Sequence, residues 1–154
     1  MYRLLLAGHS LNRWLVLVLL ALAIGRALRG WLGGRDWHGS DQRVGEALAG
    51  VIDLQMLLGL VLYIGFSPHT RAGWSDLGAM LGNRILQFWT LEHGPTMLVA
   101  VALVHSGVTR SRRAETARDR HRSAALWFGA AALLVLAAIP WPFLPHGRGL
   151  LPTL

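Results

Sequence analysis

Six ionisable side chains fall within long apolar stretches of this chain: His9, Arg13, Asp53, Glu92, His93 and His105. Such residues are costly in a bilayer, so their presence marks a ligand, a proton path or a packing contact. Paired imidazoles can hold a transition metal. A carboxylate beside an imidazole can pass protons. The same groups can also simply tie helices together by hydrogen bonds. Which of these applies depends on the elements that carry them.

The 154 residues are 53% hydrophobic and only 15% charged, with mean hydropathy +0.42. A soluble domain usually carries about 25% charged residues. The deficit lies in four apolar runs, Leu4–Ala27, Ala47–Phe66, Phe88–Val108 and Ala124–Ile139. Each approaches the length of about 20 residues that spans a bilayer, which predicts helices at about 3–30, 43–66, 85–109 and 122–140. Short connections fold four such helices as an up-down-up-down bundle, a single all-α integral-membrane domain over residues 1–154. The first run is no cleavable signal peptide, because Arg26 and Arg29 stand where small residues should precede a cleavage site.

All the basic residues behind the net charge of +7 are arginines, and their placement excludes nucleic acid as the partner. They crowd the 1–2 connection and the 3–4 connection, "TRSRRAETARDRHR", whereas the 2–3 connection has only Arg71 and Arg84. This is the positive-inside pattern of a bacterial inner-membrane protein with both termini outside the cytoplasm, its arginines among lipid headgroups. Within the outer connection, "GWSDLGAML" predicts one short interfacial helix. The prolines of "PWPFLP" end the fourth helix.

Depth sorts the polar residues. His9 and Arg13 lie in the first turns of helix 1, Glu92 and His93 near the outer end of helix 3, and Asp53 and His105 in the inner half. Helices 1 and 3 are diagonal in such a bundle, with axes about 14 Å apart when neighbours are about 10 Å apart. Two imidazoles on one iron, with bonds of about 2 Å, need roughly that separation. His9 and His93 are therefore candidate ligands of a haem b, with Gly59 and the small run Gly129–Ala132 making room beside its plane. Pro95 frees the Leu91 carbonyl and bends helix 3. Arg13, with Arg3 and Arg84, can meet propionates; Arg13 can equally pair with Glu92 or snorkel to headgroups. Asp53, paired with His105 or Arg26, gives a buried polar contact or a proton path. His38, His69, His121 and His146 read as solvated. No cysteine is present, which excludes disulfides, c-type haem attachment and iron–sulfur clusters.

The segments "HSLNRWLVLVLLALAI", "DLQMLLGLVLY", "RILQFWTLEHGPTML", "DRHR" and "AIPWPF" together resemble a family of small four-span bacterial membrane proteins labelled cytochrome b-like or uncharacterised. His9, His93 and His121 are the matching histidines. Members commonly carry histidine where this chain has Asp53, so a second, inner haem would lack that ligand here. The resemblance implies a small b-type cytochrome or an electron-transfer subunit with a protein partner in an electron-transport complex. A haem-free structural or assembly subunit, and a quinone- or proton-handling protein using Asp53 and His105, remain the alternatives.

Overall fold

The structure, a computed structural model that describes residues 1–151, is all-helical, with no strand among those residues. Helix α1 runs Tyr2–Gly33. Helix α2 runs Gly39–Val61 and continues through a π-helical turn, Leu62–Phe66. Three short helices follow: α3 (Pro68–Ser75), α4 (Leu77–Leu81) and α5 (Arg84–Gln87). A second π-helical turn, Phe88–Glu92, leads into α6 (His93–Arg113), and α7 (Ala117–Ala138) completes the order.

Local chemistry sets these boundaries. Gly34 closes α1 in the left-handed region at φ 62°, where glycine carries no Cβ penalty. Asp41 opens α2 by accepting from the His38 amide, and Thr116 caps α7 by accepting from the Asp119 amide. The single interfacial helix expected over "GWSDLGAML" is split. Asp76 leaves helical geometry at φ −141° and accepts from the Ala79 amide, ending α3 and starting α4.

Helix α1 packs against α2 and α7, and α6 packs against the same two helices. Small side chains let them approach closely: Ala27, Ala100, Ala124 and Ala131 are all buried, with Leu48 and Val104 filling the remaining space. The outer faces are strongly apolar, with Leu57, Ile64, Leu98 and Leu133 each at least 60% exposed. Apolar surface on this scale suits lipid rather than water. Three helical segments are long and apolar enough to cross a membrane: Tyr2–Gly33, Gly39–Phe66 and Ala117–Ala138. Helix α6 is not among them, since it opens on His93, carries His105 and closes on three arginines.

Candidate functional site

A cavity of about 330 Å³ lies among α1, α2, α6 and the end of α7. His9 and His93 both line it, and their ring centroids are 6.4 Å apart with planes inclined at 71°. Each ring is held by a different sequence device.

His93 depends on two elements. Pro95, two residues on, has no amide hydrogen and clashes with the turn before it. The helix answers with the π turn, in which the His93 amide bonds the Phe88 carbonyl rather than the carbonyl four residues back. The Tyr63 hydroxyl donates to the Thr90 carbonyl inside that turn. At the end of α7, Pro140 stands where the amide for the Leu136 carbonyl would be, and Ile139 turns to extended geometry, which leaves the Ala138 carbonyl free. Trp141 Nε1 donates to Leu136 at 2.9 Å, and His93 Nδ1 donates to Ala138 at 2.8 Å. That bond puts the His93 proton on Nδ1 and leaves Nε2 with a lone pair.

His9 is fixed from α2. Asn12 donates to the Val51 carbonyl at 3.1 Å and to Gln55 Oε1 at 2.9 Å. With its oxygen thus engaged, Gln55 presents Nε2 to the His9 carbonyl (3.0 Å) and to His9 Nε2 (3.2 Å). His9 Nε2 is therefore the acceptor, and the hydrogen sits on Nδ1, which is buried without a partner. Asn12 and Gln55 were not among the residues singled out from sequence.

Several expectations change. A Cβ at Gly59 would lie 3.1 Å from His9 Cε1, so this glycine makes room for the histidine ring itself. The α7 wall of the cavity is Val135 and Ile139, beyond Gly129–Ala132. Arg13 neither snorkels nor pairs with Glu92. It is 9% exposed, lines the cavity and donates through Nη2 to the Leu150 carbonyl at 2.7 Å. Glu92 pairs with Arg84 at 2.8 Å. The second cation at the cavity is Arg148, brought back by the C-terminal segment and lying 4.1 Å over the Trp89 ring.

Asp53 and His105 do meet, at 2.8 Å, but their side chains are 52% and 49% exposed on the outside of the helix packing. The contact is not buried, because both residues face away from the core. Arg26 binds Asp41 and Ser40 instead of Asp53. His121 is 2% exposed rather than solvated, packed against Gly30 with Nε2 donating to the Asp36 carbonyl at 3.3 Å. His146 stacks on Phe88 at 3.5 Å. Burial, and Arg148 nearby, push His69 on α3 below its ordinary pKa. Burial does the same for His146, with Glu92 opposing.

No group of three or more His, Cys, Asp or Glu side chains suited to a metal ion occurs among the described residues. A haem needs only two protein ligands. Bonds of about 2 Å on either side of one iron place two imidazole centres about 6 Å apart. The 6.4 Å separation matches that spacing; the His93 Nε2 lone pair is free, whereas that of His9 is taken up by the Gln55 amide. No family model matches the chain, and no curated protein or solved structure matches it.

Proposed function

We propose that the chain is a four-span, up-down-up-down inner-membrane bundle that binds one haem b through His9 and His93 and serves as a small b-type cytochrome or electron-transfer subunit. The observation that carries this reading is a pair of imidazoles across one interior cavity, each with its lone pair on Nε2. Bound there, haem would supply a one-electron iron couple.

The protein's own groups do the rest. The Ala138 carbonyl fixes the His93 ring and raises the basicity of its free nitrogen, as outer partners of ligating histidines do. Gln55 sets the same tautomer at His9 by donating to Nε2, and would have to release that nitrogen for it to ligate. Arg13 and Arg148 set two positive charges beside the cavity, suited to carboxylates such as propionates. Apolar walls from α2, α6 and α7 exclude water. Little of the chain lies outside the helices, so electrons reach it through a protein partner or a membrane quinone. Both termini lie outside the cytoplasm in this reading, which the arginine-rich loops support.

One observation favours a second reading. Gln55 already satisfies His9 Nε2, as it should in a haem-free structural or assembly subunit. Haem content decides between them. Protein purified from haem-supplied cells should give about one haem per chain by the pyridine haemochrome assay; a substoichiometric trace assigns the chain to the structural class.

A further inference from the structure

A second cleft, of about 850 Å³, opens between the end of α6 and the start of α7. Arg110 and Arg113 line it from α6 and Arg122 from α7, with the hydroxyl side chains of Ser106, Thr109 and Ser123 between them. None of the three guanidinium groups has a carboxylate within ion-pair distance among the described residues. The one acid in the cleft, Asp119, is engaged elsewhere: its Oδ2 accepts from Thr116 Oγ1 at 2.7 Å within the α7 cap. Three arginines thus share one concave surface with a single carboxylate that ion-pairs with none of them, which leaves an excess of positive charge.

The remaining wall is apolar. Leu126 and Trp127 continue the cleft along α7 toward the centre of the helical domain, and the Arg110 guanidinium lies 4.9 Å over the Trp127 ring. The two walls are pinned together at their base. A Cβ at Gly107 would stand 2.6 Å from Phe128 Cε1, so only glycine lets α6 and α7 meet this closely.

We propose that this cleft binds the phosphate headgroup of an anionic phospholipid. Arginine forks and hydroxyls are matched to phosphate oxygens. The Leu126–Trp127 wall is matched to the first carbons of an acyl chain, with tryptophan at the depth it favours in membranes. A soluble anion uses only the polar half of the cleft; a lipid uses both. The proposal requires that the arginine-rich end of α6 and α7 lie in a headgroup layer. It is independent of haem.

The test is lipid retention by native mass spectrometry of the full chain in dodecyl maltoside, with phosphatidylglycerol and phosphatidylcholine supplied equally. Wild type should keep phosphatidylglycerol in preference. The triple variant Arg110→Ala/Arg113→Ala/Arg122→Ala should lose at least about tenfold of that retention, given about 1 kcal/mol per basic residue at an anionic surface. A charge-matched triple outside the cleft, Arg29→Ala/Arg112→Ala/Arg118→Ala, should stay close to wild type. Equal loss in the two triples overturns the site in favour of diffuse charge. Thermal stabilisation by inorganic phosphate or glycerol 3-phosphate equal to that by the lipid overturns the assignment to lipid. If the cleft triple does not fold, Arg122→Glu alone is read in the same assay. Position 122 is exposed on α7, and unchanged retention there rejects the proposal.

Discussion

His93 Nδ1 donates at 2.8 Å to the carbonyl oxygen of Ala138, the last residue of α7. The acceptor is free because Ile139 turns to extended geometry, ψ 130°, and ends α7 there, so no helical amide reaches it. A helix terminus on one element thereby sets the tautomer of a side chain on another.

At His9 the tautomer is set instead by the Gln55 amide, which occupies Nε2 itself and can be removed. Gln55→Leu takes away the donor to His9 Nε2 and to its carbonyl, and leaves the Asn12 amide with Val51 as its one remaining acceptor. Buried groups left without partners cost about 1–3 kcal/mol, so the variant should melt clearly below wild type. Thermal unfolding in detergent measures this, and an unchanged melting temperature would show that the network is not formed.

Close packing between α1 and α7 gives a second expectation. A Cβ at Gly30 would fall 2.3 Å from the buried His121 ring, whereas one at Gly25 meets nothing within 4 Å. Gly30→Ala should destabilise by about 1–3 kcal/mol through overpacking. Gly25→Ala, in the middle of the same helix, should be neutral or stabilising by up to about 1 kcal/mol. Similar melting shifts in both variants would contradict the packing.

The Asp53–His105 pair should matter little to the fold of the isolated chain. Each side chain is about half exposed on the outer face of the helices, and polar contacts between membrane helices contribute on average only about 0.6 kcal/mol. The double variant Asp53→Leu/His105→Leu should therefore melt within a few degrees of wild type, with haem content unchanged. A large loss in either would move the pair into the structural core or the cofactor site.

Acid should destabilise the end of the protein that carries α3 and His146. His69 and His146 are held below the ordinary histidine value of about 6.5. The unfolded chain then binds more protons than the folded one as pH falls through that value, so stability present above about pH 6.5 is lost below it. Melting temperature should drop between about pH 7.5 and 5.5, and less steeply in His69→Gln/His146→Gln. An identical slope in that variant would place the titration elsewhere.

Much of this arrangement is legible in the sequence because burial in lipid makes it periodic and apolar. The long helices follow from the apolar runs, and the convergence of His9 and His93 follows from their depth. What escapes has particular physical causes. Asn12 and Gln55 are uncharged, so a search for ionisable groups passes over them, although an amide inside a span needs a partner just as much. The free Ala138 carbonyl is visible only once the end of α7 has been located to the residue. Arg148 arrives from an aperiodic segment, where spacing carries no information. Asp53 and His105 match in depth, but depth alone does not say whether a side chain faces the core or the lipid.

The most direct test of haem ligation is the absorption spectrum of the purified protein beside those of His9→Ala and His93→Ala. Wild type should show a low-spin, six-coordinate haem b, reducible by dithionite. Each variant should lose haem or convert it to a five-coordinate form, while His69→Ala leaves the spectrum unchanged. Low-spin spectra in both histidine variants, or a wild type without haem, would contradict the assignment and leave His9 and His93 as packing residues.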